Sequence, residues 1–151
     1  MNSIFNNNQI NFVSRQQLYY DDNIQLAQLL GMKQGEINKY EVFVTKLCDG
    51  NLKQCKMNEQ LTNEHIYSII DQLVDTLEEL KKNDKCHNDV KPGNVLYVKE
   101  VKRNGHFEIK TKMADFGMCN QLGGTPGWSP PNFTHDREAG YSDEYSFGLI
   151  A

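Results

Sequence analysis

The sequence predicts an α+β fold with one long helix followed by a β-hairpin. The first observation is the apolar periodicity of residues 63–82, which is typical of an amphipathic helix. The second is a pair of β-type segments, residues 95–98 and 107–113. The polar stretch between them contains Asn104 and Gly105, a good hairpin signal. Helix and hairpin are therefore expected as neighbours along the chain.

The helix predicted over residues 63–82 carries a continuous apolar stripe. Apolar side chains recur there at intervals of three and four residues: Ile66, Ile69, Ile70, Leu73, Val74, Leu77 and Leu80. Thr62 is a suitable N-cap, and Glu64 lies near the positive end of the helix dipole. These features indicate a structural role for this helix.

The first third of the chain has weaker signals. Residues 1–13 are polar and rich in Asn, so we expect a poorly ordered N-terminus. Residues 18–30 contain a short helical pattern. Residues 39–47 are a β-branched and aromatic run that predicts a buried strand, and residues 48–51, Cys-Asp-Gly-Asn, predict a turn after it.

Composition indicates a folded intracellular domain. Charged residues are 24% and hydrophobic residues 38% of the chain, and the formal net charge is −4. This mild acidity argues against nucleic-acid binding and against docking to an anionic membrane, and no apolar run has the length of a membrane span. We expect thiols in a reducing compartment, cytoplasm or nucleus, because no metal-ligand spacing links the four cysteines Cys48, Cys55, Cys86 and Cys119.

Two short motifs carry candidate chemistry. Residues 87–94 read His-Asn-Asp-Val-Lys-Pro-Gly-Asn, so a carboxylate (Asp89), an ammonium (Lys91) and a carboxamide (Asn94) lie close together in the chain. Residues 114–117 read Ala-Asp-Phe-Gly and contain a second acid, Asp115. Any one of these residues would be ordinary in a surface loop, but the set in this order is not.

The order and spacing of these motifs resemble the catalytic loop and the metal-binding motif of the eukaryotic protein kinases. The resemblance implies a protein-kinase-like fold. Residues 14–48 would be the remnant of the small lobe with the hinge, and residues 49–151 the first half of the mainly helical large lobe. It further implies transfer of the ATP γ-phosphoryl group to Ser or Thr hydroxyls of protein substrates, with ATP and Mg²⁺ as cofactors. The oligomeric state is left open.

The resemblance also implies roles for the motif residues. Asp89 would accept the proton of the attacking hydroxyl, or at least orient that hydroxyl, and Lys91 would neutralise charge on the moving phosphoryl group. Asn94 and Asp115 would supply oxygen ligands to magnesium, which prefers hard oxygen ligands and keeps its waters. In the hinge, the adenine would meet the backbone of three residues: Lys46, Leu47 and Cys48.

Two downstream segments extend the resemblance. Residues 124–132 resemble the end of a kinase activation segment, in which Thr125 would hydrogen-bond towards the catalytic Asp and Lys. This contact is associated with Ser/Thr-directed enzymes. Residues 142–148 resemble the start of the helix whose acid, here Asp143, anchors the catalytic-loop backbone. Supporting positions within the two motifs are His87, Phe116 and Gly117.

Several positions depart from the family pattern. Asn88 stands where most of the family has an Arg that receives the activation-loop phosphate, and residues 118–124 contain no Ser, Thr or Tyr. We therefore predict an enzyme that is not switched on by phosphorylation of this loop. Asn132 replaces a usual Glu.

The sequence before the motifs also departs from the family in its phosphate-binding elements. No Gly-rich loop and no Val-Ala-x-Lys strand precede the motifs, and Lys33, Lys39 and Lys46 fall too late to replace that lysine. We expect a fragment of a longer protein, or a degenerate relative, that is inactive alone. The alternatives are a catalytically impaired kinase-like scaffold (a pseudokinase) and a small-molecule phosphotransferase of kinase-like fold. Lys91-Pro92 and residues 125–131 argue against the last.

Overall fold

The structure, a computed structural model, describes residues 16–17, 43–119, 121, 123–131 and 141–151. Of residues 16, 17, 43, 44 and 141 it describes the backbone alone. The described residues belong to two units, one with residues 16–17 and 43–47 and the other with those from 48 to 151. The predicted disorder of residues 1–13 and the helical pattern of residues 18–30 lie outside the described residues. Residues 16–17, between these two ranges, form a strand.

The described residues of the first unit form one antiparallel strand pair. Strand β1 (Gln16–Gln17) pairs with β2 (Phe43–Val44), with Gln16 opposite Val44. Of the strand predicted over residues 39–47, residues 39–42 lie outside the described residues. The prediction is wrong for residues 45–47, which are exposed and belong to no strand. Residues of high strand propensity form a strand where a neighbouring strand pairs with them, and the described pairing ends at Val44.

In its described residues the second unit combines a three-stranded antiparallel sheet with three helices. Its elements are, in chain order, β3 (Gly50–Asn51), α1 (Leu52–Asn58), α2 (Asn63–Lys82), a 3₁₀ turn (Pro92–Asn94), β4 (Val95–Val101), β5 (Phe107–Met113), a second 3₁₀ turn (Phe116–Met118) and α3 (Tyr141–Ile150). The strand order is β3-β4-β5. This mixed architecture is the α+β class that the sequence predicts.

The β4–β5 hairpin is longer than predicted on one side. Its register runs from Val95 opposite Met113 to Val101 opposite Phe107. The prediction for β5 is confirmed at both ends, whereas β4 continues three residues beyond residue 98. Those last residues are mostly charged, but pairing with the facing strand keeps them extended. At the tip, Gly105 has φ +80°, a left-handed conformation that glycine adopts without steric cost.

Strand β3 occupies the second half of the turn predicted at residues 48–51, and helix α1 follows it directly. Asp49 makes a bend, and Gly50 then pairs with Tyr97 of β4. Asn51 caps α1 through a capping box, because its Oδ1 accepts from Gln54 N (3.2 Å) and Gln54 Oε1 accepts from Asn51 N (2.9 Å). The segment is therefore more ordered than its turn-forming residues indicate.

Helix α2 has the predicted bounds and covers the outer edge of the sheet. Thr62 caps it, as predicted, by accepting a hydrogen bond from His65 N. The amide of Gln72 donates to Ile109 O (2.9 Å) and accepts from Thr111 N (2.9 Å), so it pairs with β5 much as another strand would. Covering an edge in this way satisfies its backbone groups.

The core of this unit lies between α2 and the sheet. Its buried apolar side chains are Ile69, Leu73, Leu80, Val90, Val95, Tyr97, Ile109 and Met113. Among the described helices, none is both long and apolar enough to cross a membrane. Because α2 and the hairpin are packed through this core, the loop that joins them has fixed ends.

Candidate active site

Helix α3 anchors the loop that follows α2. Asp143 lies in the first turn of α3 and is 3% exposed. Its two carboxylate oxygens accept from the backbone amides of His87 (2.6 Å) and Asn88 (2.8 Å). Burial raises the pKa of Asp143, and these hydrogen bonds, which favour the carboxylate, offset part of that rise. The predicted contact between Asp143 and the loop backbone is present.

His87 is a structural link between the two motifs. Its ring is fully buried, with Nε2 2.8 Å from Ala114 O and Nδ1 3.2 Å from the amide nitrogen of Asp89. A carbonyl accepts and an amide donates, so these partners assign the proton to Nε2 and leave Nδ1 as an acceptor. The ring also meets Phe116 edge-on, with centroids 4.8 Å apart. His87 therefore joins residues 87–89 to residues 114–116.

A cluster of charged and polar groups surrounds the carboxylate of Asp89. Its Oδ2 accepts from Lys91 Nζ (2.9 Å) and from Asn94 Nδ2 (2.9 Å). Its Oδ1 accepts from Thr125 Oγ1 at 2.5 Å, and Lys91 Nζ donates to the same Thr125 hydroxyl at 2.6 Å. The predicted contact of Thr125 with both side chains is present. Four residues from two distant segments thus meet at one carboxylate.

This environment keeps Asp89 ionised. Burial alone would raise the pKa of Asp89, but hydrogen bonds from Thr125, Lys91 and Asn94 stabilise the carboxylate and lower the pKa below its ordinary value. The side chain of Asp89 is 11% exposed and that of Lys91 26% exposed, so the ion pair is only partly screened by solvent. An ionised carboxylate of low basicity can accept a hydrogen bond from an approaching hydroxyl group.

Asn94 and Asp115 are brought close by the backbone. Ala114 N donates to Asn94 O (2.9 Å), which continues the β4–β5 ladder by one pair and places Asp115 next to it in the chain. Asn94 uses its amide nitrogen to bind the backbone oxygen and the carboxylate of Asp89, so its Oδ1 is the atom available to a ligand. Asp115 is exposed, and its Oδ1 has a long contact with Gly117 N (3.4 Å).

These two oxygen donors fit a magnesium ion. Magnesium is held in proteins by one or two oxygen ligands together with waters and phosphate oxygens. Among the residues that the structure describes, no group of three or more His, Cys, Asp or Glu side chains forms a metal cage. One carboxylate with one carboxamide suits magnesium better than a metal that needs a closed protein site.

The predicted hinge residues are divided between the two units. Lys46 and Leu47 belong to the first unit and Cys48 to the second. Leu47 is 91% exposed. Adenine contact by their backbone groups stays a prediction.

The carboxamide of Asn88 makes contacts that sequence reasoning missed. Its Nδ2 donates to the backbone oxygens of Met118 (3.2 Å) and Gln121 (2.6 Å). From the sequence, Asn88 is notable as the loss of an Arg, and its own donors have no visible partner. The one available signal is its side chain type, since Asn is favoured in left-handed backbone conformations and Asn88 has φ +63°.

Comparison with known proteins agrees with the motifs and with the fold. The family model of the protein kinase domain matches residues 15–151. The chain also resembles the crystal structure of the yeast RNA polymerase II CTD kinase CTDK-1 complex, with a TM-score of 0.68 and 17% sequence identity. This alignment covers 97% of the present chain and 44% of the matched one, so the chain spans less than half of that neighbour's length. By its motifs and by the extent of the family match, the chain belongs to the protein kinase domain family.

Proposed function

We propose that this chain carries the phosphoryl-transfer centre of a protein kinase that acts on Ser or Thr hydroxyls. The observation that carries the proposal is the cluster at Asp89, in which Lys91, Asn94 and Thr125 all bind one carboxylate. Phosphoryl transfer needs positioned groups and compensating charge more than covalent chemistry. This cluster offers both in one partly buried place.

Each residue of the cluster has a role that follows from its contacts. Asp89 would orient the hydroxyl of the substrate and receive its proton late, because a carboxylate with a lowered pKa is a weak base. Lys91, already beside Asp89, would offset negative charge on the transferred group. Thr125 holds both side chains together, and its place in the segment that resembles a Ser/Thr-directed substrate shelf supports that specificity.

Asn94 Oδ1 and the Asp115 carboxylate would hold magnesium. Bound there with ATP, the ion would neutralise phosphate charge. The contribution of the chain is orientation. Asp89 binds the amide nitrogen of Asn94, so the amide oxygen is the atom of this side chain that would bind the ion.

The test is phosphate incorporation into a generic protein substrate, with ATP and magnesium, by the full-length product that contains this chain and by its Asp89→Asn variant. We expect the variant to lose at least about 100-fold in rate, the lower range for removing a general acid–base group. Asp75→Asn, the same change at an exposed position of α2, is the matched control and should keep the rate. Equal incorporation by the protein and by Asp89→Asn would refute the proposal.

A second candidate function is a non-catalytic kinase-like binding module. The observation in its favour is that residues 1–86 contain no Gly-rich phosphate loop and no Val-Ala-x-Lys sequence. Such a module would keep the contacts of Asp89, which also stabilise the loop, yet transfer no phosphate. Thermal unfolding with and without ATP and magnesium separates the two: the kinase is expected to be stabilised by the nucleotide, since a ligand that binds only the folded state raises its stability. If ATP with magnesium causes no thermal shift and no phosphate is transferred, the binding module is favoured.

A further inference from the structure

We propose that Asn88 is a positioning residue that holds the segment after Asp-Phe-Gly in place without a phosphate group. We call the carboxamide of Asn88 with the backbone oxygens of Met118 and Gln121 the Asn88 clamp. The inference rests on the proposed function and adds to it the regulation of the same site. It concerns how the segment is ordered before any nucleotide or substrate is present.

The backbone of Asn88 is fixed independently of the clamp. The residue is 5% exposed and has φ +63°, a conformation that Asn adopts more readily than most residues. The backbone N–H of Asn88 donates to Asp143 Oδ1 at 2.8 Å. The side chain therefore starts from an anchored and buried main chain, so the direction of the carboxamide is set before the segment docks.

The donors of the carboxamide match the acceptors of the segment. The amide group has two hydrogens, and the structure places one backbone oxygen at 3.2 Å and another at 2.6 Å from Nδ2. Both partners can only accept, so the nitrogen and not the oxygen of the amide must face them. The two hydrogens thus bind acceptors 30 and 33 residues away in sequence, both in one short segment.

Gly124 lies close to the backbone of Asn88, at a position where a side chain does not fit. A β-carbon at Gly124 would lie 3.0 Å from Asn88 O and would collide with Ser129 Oγ. Gly124 also has φ +146°, a conformation that is strained for other residues. Gly124 therefore lies directly against the backbone of Asn88.

The clamp replaces an ionic contact with a neutral one. Residues 118–124 offer no hydroxyl for phosphorylation, and residue 88 is not a cation. Hydrogen bonds from a neutral amide to carbonyl oxygens need no phosphate and are little affected by salt, unlike an Arg–phosphate pair. Met118 and Gln121 are accordingly held by Asn88 in the unmodified protein.

Hydrogen exchange of the full chain without nucleotide tests the clamp. The reporters are the backbone amides of Cys119 and Gln121, which donate to Phe116 O and Met118 O, each at 3.0 Å. Asn88→Gly keeps the left-handed backbone and removes the carboxamide, whereas Asn88→Asp keeps the shape and removes the donors. Both should exchange about 10-fold faster at these amides, as expected for the loss of two hydrogen bonds.

Asn104→Asp at the hairpin tip is the matched control. There the side chain uses Oδ1 to accept from His106 N (3.1 Å), an acceptor that the substitution keeps, so exchange should not change. Unchanged exchange at Cys119 and Gln121 in both Asn88 variants would overturn the clamp. An equal increase throughout α2 and β5 would also overturn it, because that result would mean general destabilisation.

Activity measurements separate this inference from the proposed function. If the protein transfers phosphate, Asn88→Asp should lower kcat about 10-fold and leave KM for ATP within about twofold. Prior treatment of the unsubstituted protein with a non-specific phosphatase should leave its rate unchanged. A phosphatase-sensitive rate would overturn the clamp. Faster segment exchange in the Asn88 variants of a protein without any transfer would support the clamp and refute the proposed function.

Discussion

At the scale of single residues, one hydroxyl group organises the candidate site. Thr125 Oγ1 donates to Asp89 Oδ1 and accepts from Lys91 Nζ, so it joins the negative and the positive side chain. It arrives from a segment 34 to 36 residues further along the chain. The geometry of Asp89 and Lys91 therefore depends on whether that segment is in place.

Removing this hydroxyl should impair transfer while keeping the fold. Thr125→Val preserves the β-branched shape but deletes a hydrogen bond to a charged group, which is worth about 1.5–3 kcal/mol. The rate of phosphate incorporation should fall about 10- to 100-fold. Thr125→Ser retains the hydroxyl and should keep most of the rate. If the Val and Ser variants had the same rate, the bridging role of Thr125 would be wrong.

The lowered pKa of Asp89 predicts a stability difference that depends on pH. A carboxyl group whose pKa is lower in the folded protein than in the unfolded chain stabilises the fold fully above the unfolded pKa of about 3.9. That stabilisation is lost as pH falls through the lower folded pKa.

We therefore expect the gap in free energy of unfolding between the protein and Asp89→Asn to be constant from neutral pH to about pH 5 and to shrink in more acidic solution. Chemical denaturation at several pH values measures it. Asp75→Asn, at an exposed site, should show no comparable trend. A gap that widens in acid would contradict the contacts described for Asp89.

At the scale of elements, α2 completes the sheet with one side chain. Gln72 satisfies Ile109 O and Thr111 N on the outer edge of β5, and both of those residues are 2% exposed. The amide acts as a short strand would, and it fixes the position of α2 along β5. The position of the loop after α2 follows from that packing.

Gln72→Met should destabilise the protein by about 2 kcal/mol or more, because two buried backbone groups lose their partners at about 1–3 kcal/mol each. Thermal or denaturant unfolding measures this loss. Asp71→Met changes the exposed neighbour in the same helix and should stay within about 0.5 kcal/mol. Similar losses in both variants would show that the edge contact contributes little.

At the scale of the described second unit, α3 connects the last described residues of the chain to the loop at residues 87–94. Asp143 binds two loop amides across 56 and 55 residues of sequence. A second link lies nearby, where Ser146 Oγ contacts Trp128 O at 2.6 Å. Helix α3 therefore holds both the loop at residues 87–88 and the segment around Trp128.

Asp143→Asn should weaken this connection strongly. A carboxamide has one acceptor oxygen, so one of the two buried amides would face an NH₂ group and lose its partner. We expect a loss of about 3 kcal/mol in stability and a lower transfer rate. Glu144→Gln is the matched control, since Glu144 forms an exposed ion pair with Lys81 that should contribute less than about 1 kcal/mol. Equal effects of the two substitutions would refute the anchoring role of Asp143.

The sequence alone determined those features whose signals are local. The bounds of α2 and β5 follow from apolar periodicity, an N-cap and a hairpin turn, all contained within the segments themselves. The motif residues Asp89, Lys91, Asn94 and Asp115 were identified from their order and spacing. The last residues of β4 and the pairing of β3 could not be predicted, because they depend on which strand lies alongside.

The tertiary structure alone decided which of these residues meet and what holds them. The amides of Gln72 and Asn88 show no pattern in the sequence, since their acceptors across the fold lie 30 to 37 residues away and are backbone oxygens that every residue type carries. A hydrogen bond of that kind exists only once the packing of α2, the hairpin and α3 has placed donor and acceptor within about 3 Å. The sequence therefore determines the chemistry that is available, and the fold determines its geometry.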